Sequence, residues 1–343
     1  MTLNDCTVDG SQQRCFASFD GKGGSTSLLE LADALLERQK QNWPMLVDGY
    51  AALSAARIRE IRGDGWGVQL QFNPRRIMSS RAKVDPESIR RRPCFLCPGN
   101  LPQEQEAIGY RDDYLILCNP APIFPGHRTI VHICHLPQSL PDHLGIFLQL
   151  AADFGPRMTV FYNGPLAGAS APDHLHFQAA PAGLMPVEAE ILHPRKRVGA
   201  KRRDGVKIWQ TTGLGRGILV IEGEKKENVA AATGDAIRAL GHMTSTDQEP
   251  MLNILCTHTK EGWRLLLFPR RKHRPDAYFR EGGERLLISP GAADMGGTII
   301  TPREEDFYAL TPDLVSGIFR EVAFDDTATA ALLSLLAGKR PFI

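Results

Sequence analysis

FYNGPLAGASAPDHLHFQ, residues 161–178, has strand-like ends around a loop-like middle. Met158 to Tyr162 leads in as an apolar strand, and His174-Leu175-His176-Phe177-Gln178 closes it with period-two alternation. Between them, Asn163 to Asp173 is built mostly of Gly, Ala, Pro and Ser, the composition of a loop. Upstream, Tyr114-Leu115-Ile116-Leu117 and His127 to His135 read as strands and Leu140 to Phe154 as a helix. The order strand, strand, helix, strand, strand predicts an antiparallel sheet with helices packed on it, an α+β fold.

Working outward, Leu28, Leu31, Leu35, Leu46 and Ile58 recur at helical spacing, which predicts helices from Ser25 to about Ile61 broken near Pro44. Val68 to Phe72 alternates like a half-buried strand, and residues 80–112 read as loop. His193 to Asp204 is basic and turn-like and marks a boundary. Beyond it, Gly217 to Glu222, Asn253 to His258 and Trp263 to Phe268 read as strands and Asn228 to His242 as a helix. A glycine-rich turn follows, flanked by Leu286 to Ile288 and Thr298 to Ile300. This weakly repeats the order of the first half and suggests two related halves. The domains expected are therefore a helical region at 1–65, a catalytic half at 66–195 and a second half at 196–343.

The chain has 343 residues, with 40 basic against 39 acidic ones and a formal net charge of +1, so nothing pulls it as a whole toward nucleic acid or an anionic membrane. No apolar run approaches a membrane span, and the first residues lack the order of a secretory signal, so a cytoplasmic location is expected. Of seven cysteines, only Cys94 and Cys97 are spaced as a pair.

A strand places residues i, i+2 and i+4 on one face, so His174, His176 and Gln178 are expected to project together. A neutral imidazole at His176 can attack phosphorus in line, with Gln178 and Ser170 donating to the nonbridging oxygens. The small residues before it let backbone N–H groups approach an anion. Cys94-Phe95-Leu96-Cys97 supplies half of a tetrahedral zinc site. His135 and His174 are the preferred other ligands, with His132, Cys134 and His143 as alternatives. Four protein ligands leave no open position, which makes such a zinc structural. Arg75, Arg76, Arg81 and Lys83 are placed to reach a pyrophosphate, and the run Pro269 to Arg274 to receive a phosphorylated acceptor.

These segments resemble the histidine-triad superfamily, in particular its transferase branch of uridylyltransferases, diadenosine tetraphosphate phosphorylases and GDP-hexose phosphorylases. Cys94-Phe95-Leu96-Cys97-Pro98-Gly99-Asn100 and Gly168-Ala169-Ser170 with His174-Leu175-His176-Phe177-Gln178 carry the resemblance, which covers about Phe72 to Ala180. It implies a HIT-like fold with His176 as nucleophile and Gln178 and Ser170 as phosphate contacts. Asn163 and His127 would lie in the nucleotide site, Asn119 near the ribose, and zinc on Cys94, Cys97, His135 and His174. Gln178 in place of a third histidine belongs to transferases, not hydrolases. The activity implied is transfer of a nucleotide from a nucleoside diphosphate sugar or dinucleoside polyphosphate, through a nucleotidyl-histidine, to phosphate or a sugar phosphate. Neither nucleic acid nor membrane is an expected partner, and a homodimer is admissible. Two departures, an extra residue between Ser170 and the histidines and a shorter spacing from Cys97 to His135, support an alternative: a zinc-stabilised nucleotide-binding sensor without turnover.

Overall fold

The computed structural model describes residues 15–23, 26–77 and 84–337. Four strands and a helix make the first repeat: β5 (Tyr114–Cys118), β6 (Arg128–His132), helix α3 (Leu144–Phe154), β7 (Met158–Asn163) and β8 (His176–Pro181). The second repeats the order with β10 (Val206–Thr211), β11 (Leu219–Gly223), α4 (Lys226–Thr244), β12 (Leu252–Thr259) and β13 (Gly262–Pro269). They join where β7 pairs antiparallel with β12, from Val160↔Cys256 to Asn163↔Asn253. With β1 (Cys15–Phe19), β4 (Ala107–Tyr110) and β9 (Arg197–Arg203) this makes an 11-stranded sheet, ordered β1-β4-β5-β6-β8-β7-β12-β13-β11-β10-β9. Read from the seam, the core strands of the two halves mirror one another, as two related α+β halves require.

Both faces of the sheet are covered. One carries α1 (Leu28–Asn42), α2 (Pro44–Ser54), α3, α4 and α6 (Asp326–Ala337). The other carries a three-stranded sheet of β2 (Arg57–Arg62), β3 (Gly67–Phe72) and β14 (Thr298–Thr301), together with α5 (Pro312–Val322). Val160 and Tyr162 of β7 enter the helical layer while Phe161 enters the opposite one. This burial on both sides explains why β7 reads as an almost unbroken apolar run. Local signals agree with these elements. Ser27 caps α1 by accepting from the Glu30 N–H at 3.2 Å while the Glu30 carboxylate accepts from the Ser27 N–H at 2.7 Å. Pro44 opens α2 at a position whose N–H has no helical partner.

Five readings change. Residues 80–112 are not all loop, since they hold a helix, Pro86–Arg91, and β4. Arg57–Arg62 is a strand and not the end of a helix, because it folds back on β3 from Arg57↔Phe72 to Arg62↔Gly67 through a turn at Gly65, φ 79°. Arg197–Arg203 is the sheet's last strand and not a turn, since β10 supplies a ladder that no local propensity announces. The glycine-rich turn contains a short helix, Ala292–Met295. The histidine strands are also shorter than expected: β6 stops at His132 and β8 starts at His176. Among the described residues no helix is long and apolar enough to cross a membrane.

Candidate active site

Along β8, Phe177 and Ala179 pack into the helical layer, so His176 and Gln178 face the other way. They line a cavity of about 610 Å³ between the two halves. The first half adds Asn119, Thr129, Asn163 and Ser170, and the second adds His273, Arg274 and the segment Gly291 to Asp294. The halves meet backbone to backbone at this edge. A Cβ on Gly168 would sit 2.6 Å from Gly291 Cα, and Gly168 also has φ +96°, so only glycine fits.

His174 lies in the turn before β8, not on the strand. Its ring therefore leaves the face of His176 and Gln178, contrary to the period-two expectation, because Pro172 and Asp173 turn the chain just ahead of it. Its carbonyl instead orients the next histidine. His176 Nδ1–H donates to His174 O at 2.8 Å, which leaves Nε2 as the ring's bare nitrogen. Burial pushes the His176 pKa below its usual range, against the opposing pull of that hydrogen bond and of Asp173. Burial thus favours the neutral ring.

Gln178 is oriented by a similar chain of constraints. His127 Nδ1 accepts from the Ile123 backbone N–H at 3.3 Å, so the proton sits on Nε2, which donates to Gln178 Oε1 at 2.8 Å. The Gln178 amide nitrogen is thereby left for the cavity. Burial, followed by the charge of Arg76, drives the His127 pKa down to about 3, so this arrangement holds at any physiological pH.

The remaining residues divide. Ser170 lines the cavity. Asn119 Oδ1 accepts from the Ala121 N–H at 2.9 Å and its Nδ2 donates to Thr129 Oγ1 at 3.2 Å. Asn163 ties the halves together, its Oδ1 accepting from Asn253 Nδ2 at 2.9 Å and from the Ala292 N–H at 2.6 Å. Arg76 reaches the cavity, where burial lowers its pKa to about 10 and its Nε has no partner among the described residues. Arg75 does not join the group: it pairs with Asp48 at 3.1 Å on the surface. Arg81 and Lys83 lie outside the described residues. In the basic run of the second half, fully buried Arg270 donates to Asn253 Oδ1 at 2.6 Å and to the carbonyls of Pro290 and Val322, while Arg271 pairs with Asp325. Only His273 and Arg274 of that run reach the cavity.

Cys94, Cys97, His135 and His174 converge beside it with their ligand atoms within 4.8 Å of one another, so this group could hold a metal ion. His132, Cys134 and His143 are not in the group. Sulfur to Nδ1 distances are 3.3 Å for Cys94–His174, 3.5 Å for Cys97–His174 and 3.2 Å for Cys97–His135. Tetrahedral arms of ~2.3 Å to sulfur and ~2.0 Å to nitrogen separate such atoms by roughly 3.5 Å, so the fit is good. His174 Nε2–H donates to His132 O at 2.8 Å, which turns a bare Nδ1 toward the sulfurs. Burial and the neighbouring Cys94 push the Cys97 thiol up to about 12, so its thiolate forms here only beside a cation. His135 arrives from the segment after β6 and not from the strand itself.

Two participants carried no sequence signal: Gln138 bonds the backbone of His176, and Glu249 bonds Tyr162 and Leu140. Asp294 closes the glycine-rich turn that lines the cavity, accepting from Gly291 N–H at 2.9 Å and Ile300 N–H at 3.0 Å. Isolated Gln and Glu residues in loops form no motif.

Fold and cavity together describe a two-halved α+β protein with a HIT-like fold, one half carrying the histidine strand and the other closing over it. Residues 189–336 match the family described as GDPGP1-like, C-terminal domain. Residues 35–181 match a domain of unknown function, DUF4922. No curated protein matches the chain in sequence. The structure of yeast Ap4A phosphorylase Apa2 is similar, with a TM-score of 0.54 and 18% identity over 83% of this chain and 94% of that one. The same enzyme in complex with Ap4A gives 0.54 and 18%, over 84% and 98% of the two chains. With AMP it gives 0.51 and 17%, over 85% and 97%. At this identity the likeness is one of fold.

Proposed function

We propose that the chain is a nucleotidyltransferase or phosphorylase that passes a nucleotide through His176. The observation that carries this reading is the orientation of His176, its proton held on Nδ1 by a carbonyl and its bare Nε2 on the cavity side. Nε2 attacks the α-phosphorus of a nucleoside diphosphate sugar or dinucleoside polyphosphate, forming a P–N bond as the P–O bond to the leaving phosphate breaks. The electron pair leaves with that phosphate. In the second step an oxygen of phosphate or a sugar phosphate attacks the same phosphorus, the P–N bond breaks and the imidazole is neutral again. The Gln178 amide and the Ser170 hydroxyl donate to the nonbridging oxygens, where charge redistributes. Arg76, with an unpartnered Nε, contributes positive charge beside the phosphates, and Asn119, Asn163 and His127 shape the nucleotide end. That Apa2 has been solved with Ap4A and AMP agrees with a nucleotide in the corresponding cavity.

Zinc on Cys94, Cys97, His135 and His174 would be structural, fixing the turn before β8 and so the carbonyl that orients His176. The test is a panel of nucleoside diphosphate sugars and dinucleoside polyphosphates labelled at the α-phosphate, offered with phosphate and with hexose phosphates. One donor is expected to label the protein in an acid-labile, base-stable bond, and His176→Asn to abolish labelling and to lower turnover by about 10⁴-fold or more. Full turnover in His176→Asn would remove the mechanism, and nucleotide binding without labelling or product release would favour a sensor.

A further inference from the structure

The ladder between β7 and β8 runs from Met158↔Pro181 to Phe161↔Gln178 and stops two residues short of Asn163↔His176. Past that point the strands part, so that the loop before His174 can leave the sheet and border the cavity. Parting exposes backbone N–H and C=O groups in a dry interior, and each needs a partner. One side chain supplies three of them. Gln138, 3% exposed, comes from the segment between β6 and α3 and enters the gap. Its Nε2 donates to Asn163 O at 2.9 Å and to His176 O at 3.0 Å, and its Oε1 accepts from the His176 N–H at 2.8 Å. The amide thus stands where a peptide unit of a neighbouring strand would stand.

Its own placement is fixed from both sides. The Gln138 N–H donates to Pro172 O at 3.1 Å, within the turn that leads to His174. Two residues on, the Leu140 N–H donates to the Glu249 carboxylate at 2.6 Å, and Glu249 belongs to the second half. We infer that Gln138 is a positioning residue for His176, setting the height and tilt of its ring against the α-phosphorus, an inference that rests on His176 being the nucleophile. With the peptide gripped on both its N–H and its C=O, and the ring gripped at Nδ1, the imidazole has one orientation. In-line attack demands such control, since a misplacement of about 1 Å can cost on the order of 100-fold in rate.

The test uses the full chain with isotope-labelled histidine and two readouts. Ring-nitrogen shifts of His176, assigned with His176→Asn, report the tautomer without any substrate. Single-turnover labelling by an α-labelled donor from the panel reports the rate, and titration with the same donor reports affinity. In Gln138→Leu the single Nδ1–H form is expected to give way to a mixture of tautomers and the labelling rate to fall about 100-fold, with affinity changed by less than about 3-fold. Should that variant fail to fold, Gln138→Asn keeps the amide but is one methylene too short to reach both strands, and the same losses are expected. A folded variant that keeps both the tautomer and the rate overturns the proposal, and so does one in which rate and affinity fall in parallel. If no donor labels the wild-type chain, the proposed function fails on that result, while the tautomer still decides whether Gln138 orients His176.

Discussion

His127 shows how much a single proton can settle. The Ile123 N–H fixes its tautomer, the tautomer fixes which end of Gln178 it meets, and the free end of Gln178 faces the cavity. His127→Phe preserves the ring's bulk but removes both contacts. Leaving the Ile123 N–H unpaired costs about 1–3 kcal/mol of stability, which a denaturant titration measures. Gln178 becomes free to turn its oxygen toward phosphate, and nucleotidyl transfer is expected to fall about 10-fold or more. A rate within about twofold of wild type would show that Gln178 is held by something else. This level was the most legible in advance, because His176, Gln178, Cys94 and Cys97 belong to spacings that chemistry demands. Gln138 was not, since its three hydrogen bonds depend on a gap between strands that only the folded sheet contains.

Elements were legible where their own residues carry the period. β7, β12, β13 and α4 fall within a few residues of the expected bounds, as apolar alternation and helical spacing allow. β9 and β2 were misread because polar strands at a border owe their conformation to a neighbour and not to their own residues. The segment Cys94 to Cys97 also shapes the cavity, for Phe95 and Leu96, between its two cysteines, form part of the cavity wall. Removing one ligand should therefore act on more than the metal. Cys97→Ser is expected to lose zinc by elemental analysis, to melt several degrees lower, about the effect of 1–3 kcal/mol in a domain this size, and to bind nucleotide more weakly. A strong chelator applied to wild type should reproduce all three changes. If zinc content is the same in the variant, the site lies elsewhere.

Across the whole molecule the two halves share one sheet, and Glu249 is a buried link between them. It accepts from Tyr162 Oη–H at 2.8 Å and from the Leu140 N–H at 2.6 Å, both in the first half. Burial raises its pKa from 4.5 to about 7, so the folded chain holds this proton more tightly than the unfolded one. Its contribution to stability is therefore complete below pH 4.5 and is lost as the pH rises toward 7. Glu249→Gln can keep both hydrogen bonds without the charge. The melting temperature of the variant relative to wild type is expected to climb across that window and then level off, whereas a constant difference would mean that Glu249 titrates normally. Comparing the two proteins cancels every other titrating group, metal ligands included.

The duplicated order of strands was visible in the sequence, but the unequal fate of the two copies was not. In the second half, the hairpin that corresponds to β7–β8 closes at Thr259↔Gly262, with no long loop to border a cavity. Its contribution to the site comes instead from segments beyond β13, including Gly291, which meets Gly168. That contact has the character of a mechanical stop. Side chains can change rotamer to admit a larger guest, but two main chains already touching cannot approach further. The separation of the two halves at this edge is thus limited by main-chain packing, and under the proposed function discrimination among donors would fall to the shape of what lies beyond the scissile bond.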